Sequence, residues 1–327
     1  MPDYQKFIDK CVILFAIVAM TLLSINFFYE NVVLKNKDVY RQHEQFLDFR
    51  EHNDLKILIF GDSLATDDFN PIYIPGSYNL ATPGETLKQS YYKIKWALEN
   101  EPDVDTYVIQ YNRHSFNYYR INPYYDLSYW RFYMSYEELT EETNLSEANL
   151  IFTSFLFPVI GKGKEIYRYY FDKRPYVRID NSWQNYSETF EELQGENMTS
   201  NGRTRSLSQF KKYPIVQEAD LTEIFIKTLT MLKENNKTVV LVVYPLTDEY
   251  LRPLEEKVNI TEEFKPLDEK ILKQFDNTII LDYRETFRYN QSLFVHSDHL
   301  NNKGAEIFTK MLNRDIISNG IFPTVGA

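Results

Sequence analysis

Hydrophobic and polar positions divide the chain near residue 29. Residues 11–29, CVILFAIVAMTLLSINFFY, form an uncharged run of 19, close to the length that crosses a bilayer as a helix. Lys6 and Lys10 precede it and no small-x-small cleavage site follows. The run therefore predicts a retained N-terminal membrane anchor over 1–29 rather than a cleaved signal. Residues 30–54 are polar and charged and predict a helical stalk.

From residue 55 the pattern changes. LKILIF (55–60), DTYVIQYN (105–112), KTVVLVVYP (237–245) and NTIILDY (277–283) read as buried strands. Amphipathic stretches lie between and after them. In TPGETLKQSYYKIKWALEN, Thr82 reads as the cap, Pro83 as the first helical residue and Glu85 as the partner in a capping box. Leu87, Tyr91, Ile94 and Leu98 then mark its inward face. ADLTEIFIKTLTMLKENN repeats the pattern with Asp220 and Glu223 as the capping pair, and KPLDEKILKQF and NNKGAEIFTKML complete the set. This alternation predicts an α/β domain over 55–327, a parallel sheet with helices on both faces.

Residues 113–216 break the rhythm. Twelve aromatics fall within the thirty residues 107–136, and the expectation is a helical and irregular insertion over the edge of the sheet where ligands bind. Its aromatic rings either pack a lid onto the core or meet sugar rings or a membrane interface.

Composition narrows the function. Hydrophobic residues make up 43% of the chain and charged residues 25%, as in a folded protein. The net charge of −11 argues against nucleic acid as a partner, because phosphate binding needs a basic surface. Cys11 is the only cysteine and lies in the apolar run, which leaves no disulfide, thiolate nucleophile or cysteine zinc site. Charge on the two sides of the run is nearly balanced, so orientation rests on the class of function rather than on lysine counts.

The chemistry-bearing residues sit where strands end. Ser63 in FGDSLATDD follows the first strand, Asn112 follows the second, and His299 in FVHSDHLNNKGAEIF precedes the last helix. Ligands collect beyond the carboxyl ends of parallel strands, and a serine needs a base such as histidine. GDS after a strand paired with DHLNNKGA near the C-terminus resembles the SGNH (GDSL-like) hydrolase superfamily. The resemblance implies a three-layer, flavodoxin-like sheet, Ser63 as nucleophile and His299 as base. It also implies oxyanion donors from the Ser63 N–H, from Gly84 (or Gly76) and from Asn112, with Asn79 as an alternative donor. The family's orienting acid lies three residues before the histidine, and His296 occupies that place. Asp298 is adjacent to His299, where side chains ordinarily diverge. Either Asp298 or Asp282 orients His299 by another route, or a Ser–His dyad works alone, or activity is lost. His296, Asp298 and His299 lack a further clear ligand, so no metal and no cofactor is expected. His114 reads as a structural histidine.

Among proteins of this type, the anchored ones resemble the DltD proteins of teichoic-acid D-alanylation and the periplasmic proteins of alginate-type O-acetylation. The resemblance implies a serine esterase or O-acyltransferase acting on acyl esters of cell-envelope polysaccharide, facing outward, beside a membrane-bound O-acyltransferase. Its partners would be an acyl donor and an envelope glycan. The competing expectation is a catalytically weak subunit that binds glycan or scaffolds such an acyltransferase.

Overall fold

The computed structural model describes residues 3–36, 38–117, 131–142, 149, 152–153, 157, 186–210, 219–257 and 259–321. Packing divides the chain into two units, residues 1–44 with 125–177 and residues 45–124 with 178–327.

In the first unit, α1 (Asp3–Phe28) begins a continuous helical stretch, Tyr4–Val33, that is long and apolar enough to cross a membrane. Most apolar side chains of α1, and Cys11, are exposed. Tyr29, Val33, Leu34 and Tyr40 are buried beyond it, with Phe132 packed against them. His43 stacks on Phe132 at 4.1 Å and hydrogen-bonds the Tyr133 hydroxyl at 3.2 Å.

The second unit is built on a five-stranded, all-parallel sheet. Its strands are β1 (Ile57–Phe60), β2 (Ser77–Asn79), β3 (Thr106–Gln110), β4 (Thr238–Val243) and β5 (Thr278–Asp282), in the order β2-β1-β3-β4-β5. Every residue of β1 and β3 is buried, as a sheet covered on both faces requires. Leu58, Phe60, Tyr107, Ile109, Leu241 and Val243 enter one core with α4 (Leu87–Asn100) and α8 (Ala219–Glu234). Ile57, Ile59, Val108, Val240 and Val242 enter the other with α3 (Ser63–Asp68) and α11 (Asn302–Ser318). The three-layer α/β class expected from the alternation is what the chain adopts.

Several boundaries differ from expectation. β2 is an edge strand of three residues, too short to show a period. α4 starts four residues later than the Thr82 reading: Thr86 is its N-cap, and Thr86 with Gln89 forms the capping box. Gly84 takes φ +78°, which breaks a right-handed helix, so Thr82–Glu85 is a turn closed by the Glu85 N–H donating to the Thr82 carbonyl at 3.0 Å. Asp220 lies inside the first turn of α8 rather than capping it. Phe46, at the far end of the expected stalk, is fully buried, edge-on to Tyr78 at 5.1 Å and Trp96 at 5.9 Å. Residues from 45 onward thus pack with the sheet. Of the expected insertion, 118–130, most of 143–185 and 211–218 lie outside the described residues. Residues 186–210 form α6 (Phe190–Gln194) and α7 (Met198–Gln209), and further helices are α2 (Asp38–His52), α5 (Tyr136–Glu142) and α10 (Ile260–Gln274).

Candidate functional site

Strand order reverses between β1 and β3, and the crevice beyond their carboxyl ends is where ligands of such sheets bind. Gly61 leaves β1 at φ +153°, and a Cβ there would stand 2.6 Å from the Gln110 Cβ. Only glycine lets the chain turn so close to β3. Gln110 Oε1 accepts from the Asp62 N–H at 2.9 Å and the Ala65 N–H at 3.2 Å. Asp62 caps α3: one carboxylate oxygen accepts from the Leu64 N–H at 3.1 Å and the other lies 2.8 Å from His114 Nε2. His114, buried, therefore braces the GDS turn from the loop after β3. These contacts present Ser63 as the first residue of α3, partly exposed. Neither its hydroxyl nor its N–H bonds any described residue.

Asn112 follows β3, and its side-chain oxygen accepts from the Tyr244 N–H at 3.0 Å. The Asn112 amide nitrogen and the Gly84 N–H bond nothing among the described residues. Gly84 sits in an exposed turn. Gly76, the alternative glycine, has its place in a different job: its carbonyl accepts from the Lys56 and Ile57 N–H groups at the start of β1. Asn79 is spent on the fold. Its amide nitrogen donates to the carbonyls of Ala65 (2.7 Å) and Phe69 (3.3 Å), and its oxygen accepts from the Ala81 N–H. Both amide hydrogens tie α3 to β2, so the reading of Asn79 as an oxyanion donor is corrected.

His299 opens β7 (His299–Leu300), which pairs antiparallel with β6 (Phe294–His296), His296 opposite His299. Ser297 and Asp298 make the turn between them. Side chains diverge along an extended strand, but Asp298 is in the turn, and its Oδ1 lies 3.1 Å from His299 Nδ1. The Ser297 carbonyl anchors this turn by accepting from the N–H and hydroxyl of Thr247. Asp282 is exposed and engaged with Arg284, so it does not orient His299.

On its other side, His299 Nε2 lies 3.6 Å from Asp67 Oδ2. Asp67 stands four residues after Ser63, on the same face of α3, so the imidazole meets the face that carries the serine. Asp68, fully buried, accepts from the Leu300 N–H at 2.7 Å and ties α3 to β7. From α7, Arg205 pairs with Asp298 through Nε and places Nη2 3.1 Å from His299 Nδ1, and Gln209 donates to Asp298 Oδ2 at 3.1 Å. Sequence reasoning missed Asp67, Asp68, Arg205 and Gln209. The usable signals were the acids four and five places after Ser63 and the four-residue spacing of Arg205 and Gln209.

The charges decide protonation. Burial pulls His299 down, but Asp298 above all, with Asp67 and Asp68, outweighs it and leaves the imidazole raised to about 9. Burial pushes Asp298 up, yet His299 and Arg205 win and hold it well below the usual carboxylate range. Asp68 is raised by burial, and His296 is lowered, by burial first and then by the His299 and Arg205 charges. A histidine raised above its unfolded value stabilises the fold fully below pH ~6.5 and loses that contribution as pH climbs through the folded value. From 6.5 to about 9 this is roughly 3 kcal/mol, readable by urea unfolding at several pH values. If His299 is the base, kcat/KM should rise with pH toward an apparent pKa near 9. Asp67→Asn should move that limb toward neutrality. A limb that ignores this substitution would separate His299 from the rate.

Among the described residues, no three His, Cys, Asp or Glu side chains are grouped to hold a metal ion. No family model matches the sequence, and no curated protein does. Two solved structures align over most of the chain. One is a Bacteroides fragilis protein provisionally assigned as an acylhydrolase, with TM-score 0.39 and 9% identity over 82% of this chain and 89% of that one. The other is a Streptococcus pneumoniae protein provisionally described as a platelet activating factor, with TM-score 0.37 and 10% identity over 92% of this chain and 98% of that one.

Proposed function

We propose that the protein is a membrane-anchored serine esterase or O-acyltransferase that acts on acyl esters of cell-envelope polysaccharide. One observation carries the reading. Ser63 begins α3 with its hydroxyl and N–H uncommitted among the described residues, and His299, backed by Asp298, meets the same helix face one turn on. The GDS and DHLNNKGA segments supply the resemblance that names the chemistry.

In this reading Ser63 Oγ attacks the ester carbonyl carbon and passes its proton to His299 Nε2. The Ser63 N–H, the Asn112 amide and the Gly84 N–H stabilise the oxyanion. His299 returns the proton to the departing alcohol, leaving an acyl-serine. A second hydroxyl then gives its proton to His299 and takes the acyl group, and Ser63 is reprotonated. If the second hydroxyl is a sugar's, the result is transfer; if it is water's, hydrolysis. α1 keeps the chain at the membrane, the main domain faces outward, and a membrane-bound O-acyltransferase delivers the acyl donor.

The contact of His299 Nε2 with Asp67 favours a second reading, a weakly active glycan-binding or scaffold subunit, because that carboxylate competes with Ser63 for the base. A serine-reactive fluorophosphonate, applied to the detergent-solubilised full chain, distinguishes the two. Labelling that disappears in Ser63→Ala supports the esterase. A folded wild-type protein that takes no label points to the subunit.

A further inference from the structure

The displaced acid poses a problem that α7 answers. An aspartate next in sequence to its histidine, in a turn, has several staggered rotamers, most of which point away. Here both oxygens of Asp298 are claimed. Oδ1 meets Arg205 Nε and His299 Nδ1, and Oδ2 accepts from Gln209 Nε2. Arg205 and Gln209 are four residues apart and so share a face of α7. Gln209 is itself fixed, since its oxygen accepts from the hydroxyl of the buried Tyr250 on α9 (Asp248–Glu255), which turns its NH₂ toward Asp298.

Resting on the esterase reading, we propose that Arg205 and Gln209 are positioning residues: they hold the Asp298 carboxylate against His299 Nδ1 and thereby replace the acid absent at position 296. Histidine Nδ1 has two options here. It donates to Asp298, which leaves Nε2 free as a base, or it accepts from Arg205 Nη2, which puts the proton on Nε2. Arginine only donates, so the two options exclude each other. By keeping Asp298 ionised and aimed at Nδ1, the Arg205 Nε contact favours the first.

The alternative is that Arg205 merely balances buried negative charge. Among the described residues, the charged and titratable groups facing His299 are Asp67 and Asp68 from α3, His296 from β6, Asp298 from the turn and Arg205 from α7. Charge balance and positioning then predict opposite signs. Removing a balancing cation raises the His299 pKa. Releasing Asp298 removes the main group that raises it, and the pKa falls.

The test is an NMR titration of the full chain in detergent, labelled with ¹⁵N-histidine and carrying Ser63→Ala, so that no turnover is needed. The His299 signal is assigned by its loss in His299→Gln. Positioning predicts that Arg205→Met, Arg205→Lys and Gln209→Leu each lower the His299 midpoint by about one unit or more, and that Arg205→Lys does not rescue despite its charge. A midpoint that rises in Arg205→Met, or stays put in Arg205→Lys and Gln209→Leu, overturns the proposal. Should Arg205→Met fail to fold, Gln209→Leu decides alone, because it removes a neutral contact. With Ser63 restored, kcat should drop about tenfold with KM unchanged. A failed fluorophosphonate assay would refute the esterase and still leave the titration readable.

Discussion

Ser63→Ala and His299→Ala should each lower turnover of an acetyl ester by about 10⁴-fold or more, and the double variant should be no slower than either single one. The two side chains act in one proton transfer, so removing the second after the first costs nothing further. The expected residue of activity comes from the donors around the oxyanion, which both variants keep. Independent contributions would instead multiply, and a double variant far slower than its parents would show that Ser63 and His299 do not share a step. Steady-state rates on the detergent-solubilised chain, with unfolding curves to confirm that all three variants fold, make the comparison. Full activity in Ser63→Ala would take that residue out of the nucleophile's role.

Lys93→Met should destabilise the protein by about 3–5 kcal/mol. Lys93 is completely buried in α4, and its ammonium donates to the Leu80 carbonyl at 2.7 Å, the Thr82 hydroxyl at 2.6 Å and Glu85 Oε2 at 2.5 Å. Glu85, also buried, is raised by its burial against the pull of Lys93. Taking away the lysine strands that carboxyl with the Ser90 hydroxyl at 2.7 Å among its remaining contacts. Replacing both partners by apolar groups should recover much of the loss, since the penalty comes from an uncompensated charge rather than from a missing attraction. Urea unfolding of the two single variants and the double variant measures this. The effect reaches the site as well, because this pair shapes the turn that carries Gly84. A Lys93→Met loss under about 1 kcal/mol would mean that water reaches the pair.

The same residues show why the sequence was legible in some places and not in others. The apolar runs at 55–60, 105–112, 237–245 and 277–283 could be read because a strand buried on both faces has no polar alternative. Ser63 and Asn112 followed from them, since a strand's end fixes where the next residue lies. TPGE misleads because it satisfies the local rules for a helix start, while a buried lysine eleven residues on from Thr82, donating to Leu80, Thr82 and Glu85, holds it as a turn. The expectation that neighbouring side chains diverge fails at Asp298 because it occupies a turn. Arg205 and Gln209 were invisible for another reason: on a weakly patterned helix, NGRTRSLSQ, they look like a solvated face, and only the tertiary placement of α7 gives them an acid to hold. His114, expected to be structural, pairs with Asp62 in the GDS turn.

The capping of α3 bears on what the crevice can select. A helix start ordinarily offers several N–H groups to an anion. Here the Asp62 and Ala65 N–H groups are taken by Gln110, and the Leu64 N–H by Asp62 itself. The N–H of Ser63 is left. That single donor suits charge developing on one oxygen, as on an attacked ester carbonyl or on the one phosphoryl oxygen of a fluorophosphonate, and not a free phosphate or sulfate ion with its charge spread over several oxygens. Gln110, which bonds the N–H groups before and after Ser63 and not Ser63 itself, would in the esterase reading act as a filter: it leaves the turn one donor, placed beside the nucleophile.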